Sequence, residues 1–311
     1  MITNNLGVAE FALHFGVEPK SFSEDCIALI SSMDFRYTNI EGQELESLRL
    51  SILKRIDEDK QIIGAKDRTE VWSKGWQENL DQFLANEDSL ESLVPKFIRP
   101  NQAIRLNAEY ILPIDSEFEL NFVKVYRQWF LEEYFSDVDN IFEFGCGTGF
   151  NLVAASEIFP NKKLYGSDFV ESAVNLVNAT AKKYNIELKG ELFNMLEPRS
   201  DYKIPKSSGV FTFGSLEQLA SDLKPMINFL LDAAPDIIVH TEPAIELYDD
   251  SKLSDYLAIK FQGKRGYSKG LLPLLKSLEK QGKIELIKVK RLFFGSLYME
   301  GYNTFVWKKV N

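Results

Sequence analysis

Hydrophobic positions follow two rhythms along this chain, and the change falls near Ser136 to Asp139. Before it the spacing is helical. Ile27, Ile30 and Met33 share one side of Ser23 to Met33, and Leu45, Leu48, Ile52 and Ile56 form one stripe of Glu44 to Ile63. Apolar residues three and four apart lie on one helical face, so both stretches predict amphipathic helices. Phe118 to Phe135 continues that rhythm, while prolines and polar residues interrupt every period between Pro95 and Pro113. Residues 1–135 are therefore expected to form a mainly helical N-terminal domain, acting as a lid or an acceptor-binding wall.

After the boundary, short β-like runs alternate with helical ones. Ile141 to Phe144, Lys163 to Ser167, Leu188 to Phe193, Gly209 to Phe213 and Asp236 to His240 read as strands. Helical patterns separate or follow them at Phe150 to Ile158, Glu171 to Tyr184, Ser221 to Ala233 and Lys269 to Gln281. Parallel strands need crossover connections, so this alternation predicts an α/β domain over residues 136–311, with helices on both faces of a parallel sheet. Lys283 to Phe293 and Tyr302 to Val310 are consecutive strands joined by a turn at Gly295 to Gly301, which adds an antiparallel pair at one side.

Composition narrows the partners. At 311 residues the chain is long enough for about two domains, and 45% hydrophobic with 26% charged residues is ordinary globular usage. A net charge of −10 repels a phosphate backbone, so no nucleic-acid partner is expected. No apolar run approaches the roughly 20 residues that span a bilayer, and the N-terminus lacks a basic cluster before an apolar stretch. The expectation is a cytoplasmic protein without a membrane partner. Cys26 and Cys146 are far apart and outside any CxxC pair, which predicts neither a disulfide framework nor a zinc site.

The chemistry concentrates in Ile141-Phe-Glu-Phe-Gly-Cys-Gly-Thr-Gly-Phe150, an apolar strand leading into Glu143, Phe144, Gly145, Cys146, Gly147 and Gly149 and then a helix. Alternate glycines let the backbone turn tightly and approach a ligand at the carboxyl edge of the sheet. A dinucleotide fold of the G-x-G-x-x-G type would place its third glycine where this chain has Phe150. The E-x-G-x-G-x-G arrangement instead resembles motif I of class I S-adenosylmethionine-dependent methyltransferases. That resemblance covers Ser136 to Asn311. It implies a Rossmann-like, seven-stranded, mostly parallel sheet with an antiparallel last strand, and S-adenosyl-L-methionine as cofactor, its methionine part surrounded by Glu143 and the glycines. It further implies that Asp168, followed by Phe169, binds the ribose hydroxyls, although an N-cap for the next helix is the plainer role for that residue. Asn194 and Met195 fall where the family contacts adenine, Asn194 replacing the commoner Asp. Gly214 and Ser215, with Glu217 and Gln218, fall where it lines the methyl donor and receives the acceptor.

The expected reaction is methyl transfer to a small polar molecule, such as a hydroxyl of a sugar or sugar nucleotide. An aliphatic hydroxyl benefits from a base. His240 ends the fifth strand two residues before Glu242, which makes it the candidate base, with Glu242 or Glu217 orienting it. A hydrogen-bonded structural histidine fits the same position, and no metal is expected although His240 and Glu242 are adjacent. Arg265, Tyr267 and Tyr302 are candidates for the acceptor pocket. Lys96, Arg99 and Arg105 gather before Tyr110 as a candidate anion clamp. Trp72 and Trp76 lie one helical turn apart and read as packing against the catalytic domain or as a sugar platform. The rival classes are a nicotinamide-dependent Rossmann oxidoreductase and a non-catalytic scaffold.

Overall fold

The computed structural model describes residues 2–62, 69–85, 90–220 and 222–310. The first part of the chain runs through β1 (Thr3–Asn5), α1 (Val8–Phe15), α2 (Glu24–Ser32), β2 (Arg36–Asn39), α3 (Gly42–Glu58), α4 (Thr69–Ala85), β3 (Ile104–Leu106), β4 (Glu109–Pro113) and α5 (Phe118–Phe135). Then come β5 (Asn140–Phe144), α6 (Phe150–Ile158), β6 (Lys163–Asp168), α7 (Glu171–Tyr184), β7 (Leu188–Leu192), β8 (Ser208–Phe213) and α8 (Lys224–Ala233). The chain ends with β9 (Ile237–Glu242), α9 (Leu253–Arg265), α10 (Leu271–Lys280), β10 (Ile284–Lys290), β11 (Phe294–Gly295) and β12 (Asn303–Lys309). The helix expected from Ser221 begins at Lys224, with Pro225 in its first turn; Ser221, and Ile63 at the end of the α3 pattern, lie outside the described residues.

Seven strands form one sheet in the order β10-β12-β9-β8-β5-β6-β7. β5, β6, β7, β8 and β9 are parallel, and β12 runs against both β9 and β10. The reversed last strand is thus inserted inside the sheet edge rather than appended to it. All five residues of β5 are buried, as a strand covered on both faces requires.

The N-terminal part departs from the helical expectation. β1, β2, β4, β3 and β11 form a second, antiparallel sheet. Its β3–β4 hairpin lies in the stretch expected to be irregular, and it turns on Asn107 and Ala108 at φ 55° and 62°, the positive values that a two-residue hairpin demands. β11, where only a turn was expected, supplies the edge strand by pairing with β3. α9 is also additional.

α5 joins the two sheets. Phe118, Phe122, Val125 and Phe130 are fully buried, and Phe122 stacks on Phe294 of β11 with ring centroids 3.5 Å apart. Each such side chain contributes about 1.5–3 kcal/mol through burial. Among its polar anchors is the Tyr126 hydroxyl, hydrogen-bonded to Thr241 Oγ1 at 2.8 Å on β9 and Thr304 Oγ1 at 2.7 Å on β12. A single apolar cluster therefore runs from Phe11 and Phe15 through α5 to Val239 and Val306. Among the described residues no helix is long and apolar enough to cross a membrane.

Arg105, expected at the acceptor, is instead a structural cation. It is fully buried, donating to Ser254 O at 2.6 Å and Asp255 Oδ1 at 2.9 Å, with Glu300 Oε1 at 3.4 Å. Arg291 forks onto the same carboxylates, reaching Asp255 Oδ1 at 2.7 Å and Glu300 Oε2 at 2.6 Å. Two cations and two anions balance with most of their hydrogen bonds made, the condition under which buried charge is tolerated. Arg105→Met leaves two buried carboxylates sharing one arginine. Urea denaturation should show a loss of about 3–5 kcal/mol; a loss below about 1 kcal/mol would mean that the network contributes little.

Candidate active site

The carboxyl edge of the parallel sheet is shaped by the turn between β5 and α6. Gly145 and Gly147 adopt φ 71° and 51°, in the left-handed region where a side chain is strained. Space also forbids a Cβ. At Gly147 it would sit 2.8 Å from the Trp76 ring of α4, and at Gly145 it would collide with the Ser215 side chain. The turn is pinned by backbone donors: Gly145 and Cys146 N–H donate to Ser167 O at 2.7 and 3.0 Å, and Gly147 N–H donates to Asp168 Oδ2 at 3.0 Å.

Four carboxyl groups converge at this edge. Glu143, at the end of β5, is 2% exposed; its Oε1 accepts from Asn151 Nδ2 at 2.8 Å, while its buried Oε2 has no partner. Burial pushes its pKa up to about 8. Asp168 ends β6 and is 4% exposed; burial raises its pKa to about 6 against the pull of the Gly147 and Val170 amides. Glu242 ends β9 and accepts from Ser215 N–H at 3.2 Å. Burial and then the adjacent Glu217 carboxylate raise its pKa well above the ordinary range, favouring the neutral acid. Glu217 Oε1 accepts from Gln218 Nε2 at 2.9 Å, and Glu217 Oε2 and Glu242 Oε2 are both buried without a donor.

Two of these groups, Glu143 and Glu217, border a cavity of about 660 Å³. Glu143, Gly145, Cys146, Gly147, Gly214, Glu217 and Gln218 line its sheet-edge side, with Tyr267, Tyr302 and Arg265 also on its wall. Arg265 is paired with Asp59 Oδ2 at 2.8 Å. Glu119, which the sequence reading missed, lines it from the start of α5. It accepts from Tyr302 Oη at 3.2 Å and Gln102 Nε2 at 3.4 Å, and burial raises its pKa to about 7. Its signal was a carboxylate inside a run of buried positions, Phe118, Leu120, Phe122 and Val123.

Other expected residues fall elsewhere. His240 is fully enclosed within β9, with Nδ1 2.9 Å from Thr212 Oγ1 and Nε2 unpartnered, and burial lowers its pKa to about 3. It is not part of the cavity wall and cannot reach a molecule bound there, so it is placed as a structural histidine rather than a base. Asp168, Phe169, Asn194, Met195, Phe144 and Ser215 lie around the turn but outside that wall. Ser215 Oγ donates to Phe144 O at 3.0 Å, and Asn194 Oδ1 accepts from Leu196 N–H at 3.0 Å. The anion clamp does not assemble: Lys96 pairs with Glu78 at 3.1 Å, Arg99 lines the cavity, and Arg105 is in the buried network.

Trp72 and Trp76 do pack together, with stacked rings 5.6 Å apart, and Trp76 covers the glycine turn. Ser172 Oγ at the start of α7 donates to Ser73 O at 2.9 Å and holds α4 over this edge. Among the described residues no group of three or more His, Cys, Asp or Glu side chains is arranged to hold a metal ion.

The Glu143 shift has a measurable consequence. Between pH 4.5 and about 8 the folded state keeps a proton that the unfolded chain releases, so this carboxyl destabilises the fold progressively as pH rises through that window. In Glu143→Gln the penalty is absent. Melting temperatures should coincide most nearly near pH 5 and diverge in favour of the variant toward pH 9; parallel curves would contradict the shift.

No family model matches the sequence, and none of the curated proteins matches it. Solved structures match by shape. The [4+2]-cyclase SpnF is 11% identical, with 80% of this chain and 99% of that chain covered at a TM-score of 0.51. Geranyl diphosphate C-methyltransferase from Streptomyces coelicolor A3(2), solved with Mg2+, geranyl diphosphate and S-adenosyl-L-homocysteine, is 13% identical over 79% of this chain and 99% of that chain, at a TM-score of 0.48. A SAM-dependent methyltransferase from Aquifex aeolicus is 18% identical over 60% of this chain and 89% of that chain, at 0.39. Such identities speak for the fold alone. With its glycine turn after β5 and its reversed β12 between β9 and β10, the chain has the class I S-adenosylmethionine-dependent methyltransferase fold.

Proposed function

We propose that this chain transfers a methyl group from S-adenosylmethionine to a small molecule bound in the cavity. The observation that carries this reading is the buried, unpartnered Glu143 Oε2 beside a glycine turn that tolerates no side chain. A ligand bearing an ammonium group answers the first feature and close backbone approach answers the second. In this reading Glu143 takes the α-ammonium of the cofactor, the 145–149 turn backs its methionine part, and Asp168 accepts from the ribose hydroxyls. When bound, the sulfonium supplies an already activated methyl group. The protein's part is then to align the acceptor and exclude water, and α4 with Trp76 covers the glycine side of the site.

A sugar hydroxyl as acceptor finds no support: the base assigned to it, His240, is fully enclosed and absent from the cavity wall. Phe150 in place of a third glycine counts against a nicotinamide cofactor. A reaction other than methyl transfer is the second reading, because a neighbour of this fold is a [4+2]-cyclase.

Calorimetric titration tests the assignment. S-adenosylhomocysteine should bind and NADH should not. Asp168→Ala should weaken the nucleoside about 10–100-fold, the worth of charge-assisted hydrogen bonds to a carboxylate. Equal affinity in the variant, or uptake of NADH instead, would overturn it.

A further inference from the structure

The cavity is electrically lopsided. Its wall at the ends of β5, β8 and β9 and at the start of α5 offers Glu143, Glu217 and Glu119, and no lysine, arginine or histidine. The cations on the wall, Arg55, Lys60, Arg99 and Arg265, come from the end of α3, the segment before β3 and the end of α9.

Glu217 is the charge that the cofactor leaves over. It is 6% exposed, borders the cavity and makes no ion pair among the described residues. Gln218 occupies Oε1, and Oε2 has no donor beyond a proton carried by Glu242, which is itself fixed by the Ser215 amide. On the same cavity wall, at the end of β8, stands Phe213, its ring centroid 5.6 Å from that of Tyr302, and Tyr302 in turn donates to Glu119. A buried anion without a counter-ion, set among aromatic rings, is complementary to an ammonium ion, which gains from both the carboxylate and the π faces. A carboxylate or phosphate at the same place would meet only like charge.

We propose that the methyl acceptor is an amine, bound as its ammonium ion against Glu217 on the wall that Phe213 and Tyr302 share, and that the Glu217–Glu242 pair takes the proton the nitrogen must lose. This rests on the methyl-transfer reading. The ammonium N–H proton passes to the Glu217 carboxylate and the nitrogen regains its lone pair. That pair forms the N–C bond as the C–S bond breaks with its electrons left on sulfur. The product departs as an N-methylammonium ion, and the carboxyl pair returns its extra proton to solvent.

The test titrates protein saturated with S-adenosylhomocysteine with three probes of one skeleton: phenethylamine, phenethyl alcohol and hydrocinnamate. The amine should bind about tenfold or more tighter than the alcohol, with the carboxylate weakest. Glu217→Gln should abolish that preference while leaving affinity for S-adenosylhomocysteine unchanged, which also reports that the variant is folded. Glu119→Gln provides a second variant, with a smaller loss in the same direction. An amine no tighter than the alcohol, or a preference that survives Glu217→Gln, overturns the proposal and leaves methyl transfer standing. Failure of S-adenosylhomocysteine to bind the parent protein overturns both.

Discussion

Glu143, Asp168, Glu217 and Glu242 are at most 6% exposed, sit at one edge of one sheet, and make no ion pair among the described residues. Removing a carboxylate from water costs several kcal/mol unless hydrogen bonds or a cation compensate. The chain can compensate when the need is structural. Arg105 and Arg291 saturate Asp255 and Glu300 between the same two sheets. At the sheet edge it supplies amides, Asn151 and Gln218, enough to hold the carboxyls in place without neutralising them. Partial satisfaction of this kind fits a site whose remaining donors arrive with a ligand.

The frame around that edge is built to keep it still. α5 ties the antiparallel sheet to the parallel one through Phe122 on Phe294 and through Tyr126 on Thr241 and Thr304, next to the β9 terminus that carries Glu242. α4 closes the opposite side, with Trp76 on Gly147 and Ser73 on Ser172. Residues before position 136 thus complete the wall of a cavity whose chemistry lies mostly after it.

The C-terminal half was legible because its signals are strong and local. Short apolar strand runs and helical patterns alternate at ordinary lengths, so α6 and α7 begin and end where the pattern does. The second sheet was hidden for physical reasons. β1 and β2 are three and four residues of Thr, Asn, Arg and Tyr, β3 is three residues long, and the sheet closes only when β11 arrives from far along the chain. The site divides in the same way. Glu143 and the glycines are announced by one contiguous motif, whereas Glu119 reaches the cavity only through tertiary packing. His240 and Arg105 show the converse error: a reactive side chain at a promising position was consumed by the core, His240 on Thr212 and Arg105 on Asp255.

The central claim, that a cationic ligand completes these buried carboxyls, is tested most directly by counting protons. S-adenosylhomocysteine is titrated by calorimetry near pH 7 in buffers of different ionisation enthalpy. Glu143, pushed up to about 8 by burial, is mostly protonated there and should ionise against the incoming ammonium. Release of up to about one proton per ligand, absent in Glu143→Gln, is the result this account predicts. Binding with no proton released, or with the same release in the variant, would contradict it.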